Sequence, residues 1–264
     1  MSVASGPRRV LSLEKAVQVL RCFSGAEPEL GLSQLCQRTS LPKSVAYRLA
    51  QTLEGLGLLE RSPRTRKYRV GAVAFEIGAQ YLAANPVGRV AREAIEELAA
   101  TSGHTAYLGV LDRGDTLMLA VHEGAQPVRI VGAAGDRFPA EMTAIGRAML
   151  AAKPPAFVDE LYRARRPASR AGKTPPTIPA LLADLELTRR RGWALSVEET
   201  YPGVWAVGVA VLGPAGEPVA GVSLAFPASG EAPALAERLA NLVSHRAKSI
   251  SHRLTLDGSL GVRV

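Results

Sequence analysis

Two runs near the carboxyl end, "VWAVGVAVL" (204–212) and "VAGVSLAF" (219–226), are apolar almost without interruption. A strand with one wet face alternates apolar and polar residues. A strand that is apolar on both pleat faces needs a packed layer on each side. The intervening "PAGEP" is a turn, so the two runs are expected to pair as neighbouring strands inside a sheet covered on both faces. This requirement excludes an all-helical chain and a one-sided sheet, and it sends the search to the rest of the sequence for covering helices.

Helical spacing supplies them. "PVGRVAREAIEELAATSG" puts Val87, Val90, Ala94, Ile95 and Leu98 on one stripe, with Gly103 as its stop. "IPALLADLELTRRRG" offers Ile178, Leu181, Leu182 and Leu185 as a buried side, and the closing helix offers Leu235, Leu239, Leu242, Val243 and Ile250. "PAEMTAIGRAMLAA" reads as a short helix rich in small residues. Further strands are expected in "HTAYLGVLDRGDTLMLAVHEG", a hairpin turning at "DRGD", in "QPVRIVGAAG" and in "WALSVEE". Gly208, Gly221 and several alanines leave little side-chain volume in the sheet, which predicts a cavity there. "LYRARRPASRAGKTPPT" is a basic, proline-bearing surface loop.

The charge is unevenly placed. The chain of 264 residues carries a net +8, but residues 1–70 hold 12 Lys/Arg against 5 Asp/Glu, a balance of +7, and the remainder is close to neutral. Such asymmetry points to a nucleic-acid or acidic partner for the first quarter. That quarter is compact and helical. "SLEKAVQVLRCFSG" has Ser12 as its cap candidate, Leu13, Ala16, Val17, Leu20 and Phe23 as its stripe, and Gly25 as its stop. "LSQLCQRTSL" follows with Leu32, Leu35 and Cys36 facing inward. "PKSVAYRLAQTLEGLG" then buries Val45, Leu49, Leu53 and Leu56, and it leaves Lys43, Ser44, Tyr47, Arg48 and Gln51 on the outer face. Short polar donors and an arginine along one helical face suit base edges and phosphates in a major groove. A basic hairpin comes next, "LLERS", "PRT", "RKYRVG", tied down by Leu58, Leu59, Tyr68 and Val70. Its Arg61, Arg64, Arg66 and Lys67 are placed to meet the phosphate backbone or minor groove. This pattern predicts a winged helix-turn-helix with salt-dependent binding to double-stranded DNA.

The expected organisation is α+β: a winged helix-turn-helix domain over 10–71, a linker helix over 72–85, an effector-binding domain over 86–253 and a tail over 254–264. The linker, "AVAFEIGAQYLAANP", is amphipathic in this reading and stops at Asn85-Pro86.

Taken together, "SLEKAVQVLRCF", "GLSQLCQRTSLPKSVAYRLAQTLEGLGLLER", "GDRFPAEMTAIGRAMLA" and "RRRGWALSVEETYPGVWAVGVAVLGPAGEPVAGVSLAFP" resemble the isocitrate-lyase-regulator (IclR) family of bacterial transcription factors over about residues 10–253. The resemblance implies a GAF-like effector domain, a small-molecule effector, and a homodimer or dimer of dimers on a pseudo-palindromic operator. It implies an effector cavity lined by Ile130, Ala144, Ile145, Ser196, Val204, Ala206, Ser223 and Ala225. Strand period agrees for the last four, and it turns Trp205 to the opposite face. Three residues depart from the family pattern: Glu141 stands where histidine is common, Arg147 where lysine is common, and Ser196 where some members carry aspartate. The expected pocket is small and mostly apolar with two hydroxyls, suited to a small organic acid or an aromatic metabolite.

Other chemistry is not visible. His104, His122, His245 and His252 lack metal-ligand spacing. "GVSLAF" is not a nucleophile elbow, "GAAGDR" is not a phosphate loop, and Glu198 and Glu199 point to opposite faces. No catalytic set, cofactor or metal is expected. Cys22 and Cys36 fit small buried hydrophobes on helices. No run approaches the ~18 residues of a membrane span and no leader stretch is visible, so a cytoplasmic protein is expected. Two alternatives stay open: an effector-independent DNA-coating protein, or an enzyme using the carboxyl-terminal domain.

Overall fold

The computed structural model describes residues 10–24, 27–84, 86–126, 132–168 and 175–257. The chain divides into two compact units, 1–81 and 82–264.

The first unit packs α1 (Leu11–Leu20), α2 (Leu32–Thr39) and α3 (Lys43–Gly55) around Val19, Leu30, Leu35, Ala50 and Leu53. Gln34 starts α2 by accepting the Gly31 N–H, and Ser40 ends it in the left-handed region. That turn aims α3 away from α2. β1 (Leu59–Arg61) and β2 (Tyr68–Val70) pair antiparallel, with Leu59 opposite Val70. Leu30 exchanges both backbone hydrogen bonds with Tyr68, which fastens the hairpin to the core. The winged helix-turn-helix is thus complete.

Several expected core positions differ here. α1 begins at Leu11 behind Val10, and Ser12 makes no cap. Leu13 and Val17 are exposed, and Val19 is the buried residue of α1. The stripe of α3 is rotated toward small residues: Ala46 and Ala50 are fully buried, Val45 and Leu49 are half-buried, and Leu56 is exposed. Alanines let α3 sit close to its neighbours, so longer side chains move to the flanks. Val70 is also exposed, and the buried anchors of the hairpin are Leu59 and Tyr68. Cys22 lies in the turn after α1 and, like Cys36, is only half-buried. Gly25 lies outside the described residues.

α4 (Ala72–Ala84) carries no buried residue. It is not amphipathic, because Phe75, Ile77, Tyr81 and Leu82 are exposed on several of its faces.

The second unit is a six-stranded antiparallel sheet of order β5-β4-β3-β8-β7-β6. Its strands are β3 (Thr105–Asp112), β4 (Asp115–His122), β5 (Arg137–Pro139), β6 (Ala194–Val197), β7 (Val204–Leu212) and β8 (Pro218–Pro227). β7 and β8 pair along their full length at the centre, and helices cover both faces. On one side α5 (Pro86–Ser102) and α9 (Ala232–Asp257) pack on Leu108, Val207, Val222, Leu224 and Phe226. On the other, α6 (Ala144–Ala152) lies directly on the sheet, and α7 (Pro155–Ala164) and α8 (Ile178–Arg191) pack behind it around Leu150, Val158, Tyr162, Leu181 and Leu185. The double burial required by the two apolar runs is met in this way.

Alanines line the cavity below α6, but Gly208 and Gly221 do different work from that expected. A Cβ at Gly208 would lie 2.6 Å from the Ala144 carbonyl, and one at Gly221 would lie 2.8 Å from Ile145 Cγ2. These glycines admit α6 onto the sheet and do not open space. α6 also begins later than expected, since Thr143 is extended and caps it by accepting the Gly146 N–H at 2.9 Å. Residues 137–139 form edge strand β5, pairing with Asp115–Leu117, so Pro139 belongs to a strand and not to the expected helix. α7 was not expected, and its last turn takes residues 161–164 out of the basic loop. Ile178 and Leu242 are exposed, and α9 runs on to Asp257, into the expected tail. Residues 127–131 of the expected third strand, Ile130 among them, lie outside the described residues.

Candidate DNA-binding face and effector cavity

α3 presents Lys43, Ser44, Tyr47, Arg48 and Gln51 on one exposed face. At about 100° per residue these five positions fall within roughly 140° of arc. Gln51 Nε2 donates to the Tyr47 hydroxyl at 2.9 Å, which orders the middle of the face. The other side of α3, with Ala50 and Leu53, is buried in the core with Leu35. Core packing therefore fixes which side chains point outward.

The hairpin places Arg61, Arg64, Arg66 and Lys67 in the open beside it. Its tip is rigid for a short loop. Ser62 N–H donates to Lys67 O at 2.8 Å, Arg66 N–H donates to Ser62 O at 2.9 Å, and Thr65 Oγ1 donates to Glu29 at 2.7 Å. Arg61 lies over the Tyr68 ring at 5.5 Å and donates from Nε to the Arg66 carbonyl. Arg69 is neutralised by Glu60 at 2.5 Å, whereas Arg64 and Lys67 form no ion pair among the described residues. Together the two elements form a positive outer surface.

In the second unit a cavity of about 60 Å³ lies between the start of α6 and the sheet. Ala144 and Ile145 of α6, Ser196 of β6, Val204 and Ala206 of β7, and Ser223 and Ala225 of β8 all line it. Register explains the grouping: Ala206 is opposite Ala225, and Ser196 is opposite Ala206. Trp205 turns the other way and packs beside Phe226.

The sequence reading missed Tyr107, Met118, Phe138, Thr143, Thr200 and Tyr201, which also form the wall. Tyr107 is the most consequential. It is directly opposite Ser223 across β3 and β8, so it shares that face. Its hydroxyl is buried with no hydrogen-bond partner among the described residues. Burial holds its pKa well above the ordinary tyrosine range, so at neutral pH it remains a donor. Strand alternation could have found Tyr107, but only once the β3–β8 register was known.

The other polar groups are largely committed. Ser196 Oγ lies 3.0 Å from the Met142 carbonyl and 2.7 Å from Glu199, so its single proton is engaged. Thr143 Oγ1 caps α6 and lies 2.8 Å from Thr116 Oγ1. Ala144 and Ile145 head α6, where the first N–H groups have no intrahelical acceptor. The helix dipole favours negative charge at that end.

The departures at 141 and 147 have a structural role behind the cavity. Glu141 is buried and accepts from Tyr162 Oη at 2.8 Å and from the Ala168 N–H at 2.6 Å. Arg147 donates to the Glu141 carbonyl at 2.7 Å, the Leu195 carbonyl at 2.8 Å and Glu199 at 2.8 Å. These bonds join α6 to β6 and the loop after it. Arg165, from the expected loop, pairs with Asp115 at 3.0 Å and braces the β3–β4 turn. Arg170 lies outside the described residues. Among the described residues no group of three His, Cys, Asp or Glu is placed to hold a metal, and no helix is long and apolar enough to cross a membrane.

Comparison with known proteins agrees with both units. Residues 12–63 match the model of the IclR helix-turn-helix domain, and residues 79–252 match that of the bacterial transcriptional regulator IclR C-terminal domain. A glycerol operon regulatory protein of Streptomyces griseus is 36% identical over 199 residues, 75% of this chain and 77% of that protein. The crystal structure of an IclR transcriptional regulator from Alicyclobacillus acidocaldarius superposes with a TM-score of 0.78 at 24% identity, covering 94% of this chain and 100% of that one. An IclR homologue from Microbacterium hydrocarbonoxydans, crystallised in complex with 4-hydroxybenzoate, superposes with a TM-score of 0.77 at 23% identity, covering 93% of this chain and 99% of that one. The chain belongs to the IclR family of bacterial transcriptional regulators, with a helix-turn-helix DNA-binding domain followed by an effector domain.

Proposed function

We propose that this regulator is ligand-responsive and reads a pseudo-palindromic operator by inserting the outer face of α3 into the major groove, with the hairpin on the adjacent backbone or minor groove. The observation that carries this reading is the exposed face of Lys43, Ser44, Tyr47, Arg48 and Gln51, held outward by the packing beneath it. Arg48 and Gln51 reach base edges, Lys43 and Ser44 meet phosphates at the start of the helix, and Arg61, Arg64, Arg66 and Lys67 position the duplex. The domains are the DNA-binding domain over 10–71, the linker helix over 72–85 and the effector domain over 86–253.

The effector is a small organic acid or aromatic metabolite bound in the cavity below α6. The apolar walls of Met118, Phe138 and Val204 support an apolar body. The Tyr107 hydroxyl and the first N–H groups of α6 supply donors for an anionic or hydroxyl end. The 4-hydroxybenzoate-bound relative supports the same class. The cavity is smaller than the several hundred Å³ typical of sites for drug-sized ligands, which favours a small effector. Effector binding shifts the protein between operator-competent and incompetent states by binding them unequally.

The protein acts as a homodimer or dimer of dimers. The uncovered apolar residues of α4 support pairing through that helix. The test is a mobility-shift titration of the protein with the DNA upstream of its own gene at low and high salt. A specific complex that weakens steeply with salt is expected, and no specific complex at either salt overturns the reading.

A further inference from the structure

A second cleft lies in the effector domain, away from the cavity at the start of α6. β6 pairs with β7 only from Trp205 to Gly208. Among the described residues no strand lies beside Val209–Leu212 on that side. α6 and the end of α8 stand on one side of this bare edge and α9 on the other. The space between them is about 510 Å³, within the range of small-molecule sites and much larger than the first cavity.

Its floor is small and apolar, with Ala148, Ala151 and Ala152 on α6 and Ala247 on α9. Its polar groups are cations and hydroxyls: Arg189, Arg191 and Lys248, with Thr188, Ser244 and Ser251. Glu186 neutralises Arg189, and Asp184 attracts Arg191. Lys248 is exposed and forms no ion pair among the described residues. Ser251 accepts the Leu212 N–H at 2.9 Å, and Ser244 makes no side-chain hydrogen bond among the described residues. Thr188 Oγ1 and Arg191 Nη2 are buried in the wall with no hydrogen-bond partner among the described residues, as is Asp184 Oδ2 on the same helix, while Arg191 Nε donates to the Trp193 carbonyl. Unsatisfied buried donors are rare in native proteins and costly, and each calls for an acceptor.

We propose that this cleft is a second ligand site, which takes a small organic anion, its carboxylate or phosphate held by Lys248 and Arg191 and its carbon body on the alanine floor. α6 forms a wall of both sites, its first turn at the cavity and its later turns at the cleft. Gly208 and Gly221 allow no slack between α6 and the sheet. An anion in the cleft that displaces α6 therefore alters the cavity, and the domain integrates two chemical signals.

Trp193, stacked 4.1 Å from the Arg191 guanidinium, reports on the cleft. The other tryptophan is Trp205. The test is Trp193 fluorescence of the full-length protein carrying Trp205→Phe, titrated with succinate, inorganic phosphate or benzoate at ionic strength matched with chloride. A saturable change in the millimolar range or below is expected for at least one probe. Its identity distinguishes carboxylate from phosphate. Lys248→Ala should weaken it by roughly tenfold, Ser244→Leu should weaken it by crowding the cleft wall, and Tyr107→Phe, in the first cavity, should leave it intact. Lys248 is exposed and Ser244 half-buried, so both variants are expected to fold, as circular dichroism would confirm. These results overturn the proposal: no saturable change with any probe, a change reproduced by chloride, a change undiminished in Ser244→Leu, or one lost in Tyr107→Phe. A shift in oligomeric state on Ser244→Leu, seen by sedimentation, also overturns it by assigning the cleft to a subunit contact.

Discussion

Gly208 and Arg147 carry much of the shape of the effector domain. Gly208 lets the backbone of α6 touch β7, and any side chain there meets the Ala144 carbonyl. Gly208→Ala should lower stability by about 1–3 kcal/mol, read as a fall in denaturation midpoint at unchanged m-value. Arg147 holds the Glu141 and Leu195 carbonyls and the Glu199 carboxylate, and it pairs with Asp184 at 3.6 Å. Arg147→Ala removes these bonds and should cost about 3 kcal/mol, checked by the same melt. The exposed residues of α3 were legible from spacing alone, because an outward face is defined by what the apolar stripe leaves over. Tyr107 was not, because membership of the cavity wall depends on which strands are neighbours. Ser196 was legible as a wall residue, but its bonds to Met142 and Glu199 belong to a loop that no period predicts.

At the scale of elements, α6 and α4 make opposite points. α6 is capped by Thr143 and buried along nearly its whole length, so its position is strongly determined. Thr143→Ala removes the cap and the Thr116 contact and should cost about 1 kcal/mol, measured as a thermal shift of the isolated change. α4 has no buried face in the single chain. Pairing through it predicts that Phe75→Glu with Ile77→Glu reduces self-association, seen as lighter species in sedimentation, with the helix content retained. Unchanged mass would remove α4 from the interface. The two apolar runs predicted their own sheet correctly, since double burial leaves few alternatives. β5 and α7 were hidden because a three-residue edge strand has no period of its own, and α7 opens on the second of two adjacent prolines and ends inside the expected basic loop. The glycines were misread as empty space for a related reason. A missing side chain shows in a sequence, but the backbone that occupies its place does not.

For the whole molecule, the charge asymmetry and the fold point to one activity, regulated binding to DNA. The amino-terminal unit carries most of the excess positive charge, and the sheet domain carries the cavities. The central claim is that the outer face of α3 lies in the major groove. Its most direct measurement is operator affinity against salt for the wild type and for the Lys43→Ala, Arg48→Ala double variant. The account predicts a loss of about 2–4 kcal/mol and a shallower salt slope in the variant, since each phosphate contact removed lowers the slope by about one. Equal affinity and equal slope for the two proteins would contradict it.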